Sequence, residues 1–298
     1  MKTLIFIFFL YCSNALLYGQ VLSGSVVEMN SNIPVEYVNI GIVGKTIGTI
    51  SDENGRYTFQ ISPEYHNDTL RFSCIGFHSY SVKISDFINM HNWIVNLEKR
   101  EYELAEVVIR PRKVKEKTLG ITANSLSSSW RTPFYPYEKT FLGWEMGMFM
   151  KSKKTSHIKE VNWNIAEFTY DTIVFRVHIY KVLEETKIEH SNKAVYTPRT
   201  KYENILENSV LITCTKDAIK NIITVDLRHL NLVVEGDFLV TFEYVKISGN
   251  GEFRYHTKNS PVFITRHFIG SSRWTGFPNW RVEWGPGPSI WVLVDVES

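Results

Sequence analysis

The sequence predicts an all-β protein built from two β-sandwich domains. The first is small, of transthyretin or immunoglobulin type with about seven strands; the second is larger and jelly-roll-like. Three observations predict this. Short runs rich in β-branched and aromatic residues recur along the chain, separated by Gly, Pro, Asn and Asp. Two longer runs, Thr172 to Tyr180 and Phe238 to Val245, alternate apolar and polar residues with the period of a strand. No stretch sustains the 3.6-residue period of a helix.

Composition narrows the class further. The chain has 298 residues, 44% hydrophobic and 21% charged, which is a globular composition of about two domains. Its 33 Lys and Arg against 31 Asp and Glu leave +2, so no broad basic field is present for nucleic acid. Aromatics at 14% suit sheet packing and stacking on ligands. The length excludes a transporter barrel of about 22 strands.

Residues 1–20 read as a signal peptide. Lys2 is the positive start, Leu4 to Leu10 (LIFIFFL) is the apolar segment, and the small Gly19 suits cleavage near Gly19 to Val21. Cys12 follows the bulky Phe9, Leu10 and Tyr11, where a lipoprotein signal needs small residues, so lipidation is not expected. No later stretch has the roughly 18 apolar residues of a membrane helix. The mature chain is expected in the periplasm or at the outer membrane or cell surface. Cys74 and Cys214 then remain, too few for a disulfide framework. They read as buried free thiols; an interdomain disulfide is the alternative that export allows.

The first domain is expected over residues 21–98. Its strands are Val21 to Glu28, Val35 to Ile42, Thr46 to Ile50, Arg56 to Ile61, Thr69 to Cys74, Ser79 to Ile84 and Trp93 to Leu97. Asp52-Glu53-Asn54-Gly55 is a hairpin turn, because Asn-Gly supplies the positive φ a tight reversal needs. Tyr57, Phe59 and Ile61 share one face of the returning strand. The same region carries Gly24-x-Val26, Pro34-x-x-Tyr37-Val38-Asn39-Ile40, Gly48-Thr49-x-Ser51-Asp52-x-Asn54-Gly55-x-Tyr57-x-Phe59 and Leu70-x-Phe72-Ser73-x-Ile75-Gly76-Phe77. In this order the motifs resemble the carboxypeptidase regulatory-like domain. The resemblance implies a transthyretin-like sandwich, and a setting among exported envelope proteins and ahead of TonB-dependent receptors. It implies no peptidase activity, since the regulatory domain is not the peptidase. Leu104 to Ile109 resembles the segment that leads into a receptor plug, but no plug or barrel follows.

Residues 99–130 are expected to be a linker with one short strand, Val107 to Ile109. The basic run Arg110 to Lys117 reads as a solvated linker strand, with contact to anionic lipid or glycan as the alternative. Residues 131–298 form the second sandwich. Within it Ile173, Phe175, Val177 and Ile179 share one face, and Arg176 and His178 the other, which places His178 as an exposed strand residue. Phe238, Val240, Phe242 and Tyr244 line one face of a later strand. Phe175 to Tyr180, Val225 to Leu227 and Gly236 to Tyr244 resemble the C-terminal sandwich that accompanies the regulatory-like domain in some exported envelope proteins. That resemblance implies no reaction.

Candidate binding residues are Trp274, Trp280 and Trp284. They lie among Arg273, Arg281, Glu283 and several Gly and Pro, a loop-like setting in which Trp rings stack on sugars while Arg and Glu bond hydroxyls. The competing reading closes the sandwich core with them. Trp291, inside an apolar run, belongs to the core. His157-x-x-Glu160 has a zinc-like spacing, but its basic flank disfavours a cation, and it reads as a solvated loop. The sequence has no His-Glu-x-x-His, Gly-x-Ser-x-Gly or phosphate loop. No catalytic residue, cofactor or metal is assigned, and the chain is not expected to be an enzyme. The expected function is a non-catalytic envelope module that binds or assembles a protein or glycan partner. The alternatives are a glycan- or peptide-acting hydrolase with unidentified carboxylates, and an accessory subunit of an outer-membrane transporter.

Overall fold

A computed structural model describes residues 19–45, 47–90, 92–101, 113–122, 130–131, 142–183, 202–219, 221–266 and 281–297. The protein is nearly all strand, as expected, and divides into two compact units, one of elements up to Lys99 and one of elements after it.

Among the described residues the N-terminal unit has seven strands: β1 (Gln20–Glu28), β2 (Asn39–Ile42), β3 (Gly48–Ile50), β4 (Arg56–Ile61), β5 (Thr69–Ser73), β6 (Tyr80–Lys83) and β7 (Ile94–Leu97). Each falls within, or one residue beyond, a run read from sequence. One sheet runs β4-β1-β7, with β1 and β7 parallel; the other runs β3-β2-β5-β6. The alternation on β4 buries Tyr57, Phe59 and Ile61 and exposes Arg56, Thr58 and Gln60. These join Leu22, Val26, Ile40, Leu70, Phe72 and Leu97 in one core. The turn before β4 is held by its own side chain: Asp52 Oδ1 accepts from the amides of Asn54 at 2.9 Å and Arg56 at 2.8 Å. Gly55 takes φ +69° there. Of the expected strand Val35 to Ile42, only Asn39–Ile42 forms β2. Tyr37 adopts φ +52°, which ends extended pairing, and Ser51 Oγ receives the Val38 amide at 2.8 Å. A five-residue helix, Ile84–Ile88, is too short to leave a periodic signal; it buries Ile84 and Phe87.

The C-terminal unit contains β8 (Val114–Gly120), β9 (Trp130–Arg131), β10 (Glu145–Met150), β11 (Ser156–Phe168), β12 (Thr172–Val182), β13 (Tyr202–Asn204) and β14 (Val210–Thr215). It continues with β15 (Ile222–Asp226), β16 (Val233–Val234), β17 (Phe238–Ser248), β18 (Phe253–Tyr255), β19 (Thr257–Arg266), β20 (Arg281–Pro288) and β21 (Ile290–Glu297). One sheet runs β13-β12-β17-β10-β19-β20, with β14 also on β12. The other runs β8-β21-β11-β18-β9, with β15 and β16 also on β11. Trp163 of β11, fully buried, bridges the sheets: its ring centroid lies 4.8 Å from that of Phe242 and 5.6 Å from that of Phe175. That contact makes the unit a sandwich.

Three segments differ from the sequence reading. Residues 114–120, within the expected linker, form β8, an edge strand paired with β21. Lys115 and Lys117 stand opposite Val296 and Val294, on the core-facing side, yet both are exposed. His157 to Glu160 lies in β11 in place of the expected loop. Arg281 to Pro288, despite its loop-like composition, forms β20, antiparallel to β19. The short strand expected at Val107 to Ile109 lies outside the described residues.

Candidate functional site

The centre of the sheet containing β12, β17 and β10 is buried on both faces. The inner face is apolar: Phe175, Val177 and Ile179 on β12, Val240 and Phe242 on β17, Met146 and Met148 on β10. Alternation sends the neighbours of these residues to the outer face. There β12 presents Arg176, His178 and Tyr180, β17 presents Leu239, Thr241 and Glu243, and β10 presents Glu145, Gly147 and Phe149. Register brings them together: Glu145 opposes Glu243, Arg176 opposes Glu243, and His178 opposes Thr241.

His178 was expected to be exposed and is 4% exposed, with Arg176 at 1% and both glutamates at 0%. The alternation that paired Arg176 with His178 holds; the solvent expected on that face is excluded from it. Burial of charge on this scale is tolerated only where the groups satisfy one another, and here they form two linked sets. In the first, His178 Nε2 lies 2.7 Å from Glu243 Oε2, and Arg176 Nε lies 3.6 Å from the same oxygen. On the other side of the ring, Asn204 Nδ2 is 2.8 Å from His178 Nδ1. Asn204 Oδ1 in turn accepts the Leu206 amide at 3.0 Å. In the second set Glu145 Oε1 accepts from Tyr180 Oη at 3.0 Å and from Thr241 Oγ1 in a short bond. Stacking joins the sets, for the rings of His178 and Tyr180 lie 5.4 Å apart and 10° from parallel.

A backbone amide only donates, so the atom of Asn204 that faces Leu206 is its oxygen. Its NH2 then faces His178, which makes Nδ1 an acceptor and puts the imidazole proton on Nε2, aimed at Glu243. The arrangement is a directed chain, Leu206 N–H to Asn204 to His178 to Glu243. Chemically it orients an imidazole between a carboxylate and an amide, with a second carboxylate on the adjoining strand. Sequence reasoning did not find Glu145, Asn204, Thr241 or Glu243; the available signal was the polar set alternating with the Phe238 to Tyr244 stripe.

The tryptophans expected to bind ligand are placed in part. Trp274 and Trp280 lie outside the described residues, and Trp284 is described through its backbone alone. It sits in β20, at the outer end of the sheet order. The pairing shifts between Ser260 and Phe263, so that Pro261 and Val262 oppose Trp284 as a bulge. Beyond it β20 carries Pro286 and Pro288, residues that sheets accept at their edges. His157 and Glu160 take separate partners. His157 Nε2 is 3.3 Å from Glu297, and Glu160 is 2.9 Å from the Arg228 guanidinium. Among the described residues no group of three or more His, Cys, Asp or Glu is placed to hold a metal, and no helix is long and apolar enough to cross a membrane.

Residues 22–109 match the model of the CarboxypepD_reg-like domain family, at the N-terminal sandwich where the sequence motifs carry that resemblance. A search of curated proteins finds no match. Among solved structures the chain is similar to one described as the structure of infectious bursal disease virus Gx strain, at 8% identity. That likeness covers 93% of this chain and 64% of that one, with a TM-score of 0.21. A second, described as the structure of infectious bursal disease virus Gt strain, has 11% identity, 94% and 81% coverage, and a TM-score of 0.19. The chain thus spans less than two thirds of the first of these structures, and likenesses at such scores carry no argument.

Proposed function

We propose that the protein is an exported, non-catalytic binding or assembly module of the cell envelope. It engages a protein or glycan partner through the aromatic edge of its C-terminal sandwich, and the CarboxypepD_reg-like sandwich serves as spacer or docking unit. The supporting observation is the placement of Trp284 on β20, opposite a bulge. Pro286 and Pro288 lack the amide hydrogens that an added strand would pair with. Recognition at this edge therefore falls to side chains, and Trp supplies a large rigid surface for sugar rings or a protein anchor. The proposal includes Trp274 and Trp280, which lie near Trp284 in the sequence.

The test is a fluorescence titration of residues 21–298 against a panel of envelope glycans, with the tryptophans as reporter. A saturable shift is expected, weakened about tenfold per lost ring in Trp280→Ala and Trp284→Ala variants whose circular dichroism is unchanged. No shift with any glycan, and no protein cross-linked in intact cells, would sink the proposal. Unfolding of both variants would assign the rings to the core.

A second reading, a glycan- or peptide-acting hydrolase, draws on Glu145 and Glu243. Directly opposed residues of antiparallel strands have Cβ atoms about 4.5–5.5 Å apart, so the register brings two carboxylates together on one face of the sheet. Glu145→Gln and Glu243→Gln each remove one carboxylate and keep the shape. Any hydrolysis that survives both substitutions excludes this reading.

A further inference from the structure

We infer that protonation of His178 is coupled to the docking of the edge strand β13, so that acidification loosens this edge of the sheet and neutralisation restores it. The inference stands apart from the proposed function, because it rests only on the chain Leu206–Asn204–His178–Glu243.

β13 is three residues long and pairs with β12 through Tyr202, Glu203 and Asn204. The Ile205 amide adds a bond to Ile179 O at 2.9 Å. The Asn204 side chain is the polar clasp between this strand and the buried face. With His178 neutral, every donor in the clasp meets an acceptor. A second ring proton goes to Nδ1, where it meets the Asn204 NH2 at 2.8 Å, donor against donor. Turning the amide over relieves that clash but brings the NH2 against the Leu206 amide, again donor against donor. Either way the clasp loses a hydrogen bond, and movement of β13 is the remaining relief.

Among the described residues, the titratable and charged groups on the elements packed around the ring are Glu243 from β17, Glu145 from β10, Arg176 and Tyr180 from β12, and Tyr202 from β13.

The sequence offers a clean reporter. Ile205-Leu206 is the only Ile-Leu step in the chain, so labelling Ile carbonyls with 13C and Leu amides with 15N isolates one signal in the full protein. Ring nitrogens of 15N-labelled histidine follow His178 in the same sample, between about pH 8 and about pH 5. Protection of the Leu206 amide against exchange is expected to fall about tenfold over the interval in which His178 titrates. Asn204→Asp should abolish that fall, because its carboxylate accepts from both Leu206 N–H and Nδ1–H. Leu206 protection that stays level through the His178 titration would overturn the inference. So would a neutral ring carrying its proton on Nδ1, or ring nitrogens that do not titrate over this range. These outcomes are read in the unmodified protein, so the decision does not depend on the variant folding.

Discussion

Cys214 and Cys74 illustrate how much of a residue's chemistry is set by its surroundings. Neither is in a disulfide. Cys214, on the inward side of β14, is fully buried, and burial pushes its thiol up to about 12, because the thiolate has no water to solvate it. Cys74 is half-buried. Iodoacetamide at about pH 8, near the free thiol's own range, is expected to modify Cys74 first, with Cys214 following only as the unit unfolds; peptide mass spectrometry reads the order. Equal rates would contradict the burial. The pH dependence has a definite sign. The folded state holds the Cys214 proton more tightly than the unfolded one, so this contribution is complete below the unfolded value of about 8.5. It is lost as the pH rises from there toward about 12. At this scale the sequence was legible in part. Alternation correctly grouped Arg176 with His178 on one face and Val177 with Ile179 on the other. It carries no information on what covers a face, so a buried polar face and a solvated one look alike. Glu145 and Glu243 were invisible as a pair for a related reason: their strands are far apart in the chain and meet only through register.

Elements were legible where the period of two ran unbroken, and lost where it broke. The long strands β12 and β17 alternate cleanly and were found. β11, with 13 residues, was missed. Its buried apolar residues are Ile158, Val161, Trp163, Ile165 and Phe168, and the pairing slips between Ile158 and Glu160 and again between Ile165 and Glu167. The two bulges put three positions between Ile158 and Val161 and between Ile165 and Phe168, against two in between, which erases the strand signature at both ends of β11. β20 was obscured by Gly285, Pro286, Gly287 and Pro288, a turn-like composition that an edge strand tolerates. β10 makes the prediction that belongs to this scale. Gly147 opposes Thr241, and a Cβ there would collide with the carbonyl oxygen of Val240 and with Thr241. Because the obstacle includes backbone, it has no rotamer in which to move aside. Gly147→Ala should keep the strand content and lower the unfolding free energy by roughly 1–3 kcal/mol, read as a lower urea midpoint. An unchanged midpoint would mean that β10 and β17 separate at no cost.

On the scale of the whole chain, the two-unit organisation was visible because the motif-bearing N-terminal region and the long alternating strands occupy different stretches of sequence. The N-terminal unit has a core of its own, built from β1, β2, β4, β5, β7 and the helix at Ile84–Ile88. Residues 20–99 expressed alone are therefore expected to fold and to unfold in one cooperative transition by circular dichroism. They should do so with the small stability of a domain below about 100 residues. A fragment without such a transition would show that the unit needs the remainder of the chain. The open margins of the C-terminal sheets carry a colloidal consequence. An exposed strand edge templates fibre growth, one chain adding to the next. At the margin formed by β8, such an intruder would have to bury Lys115 and Lys117, which already point to the apolar side of the sheet; at the margin formed by β20 it would meet prolines. Both devices act as gatekeepers against polymerisation, raising the cost of edge-to-edge growth at these two margins.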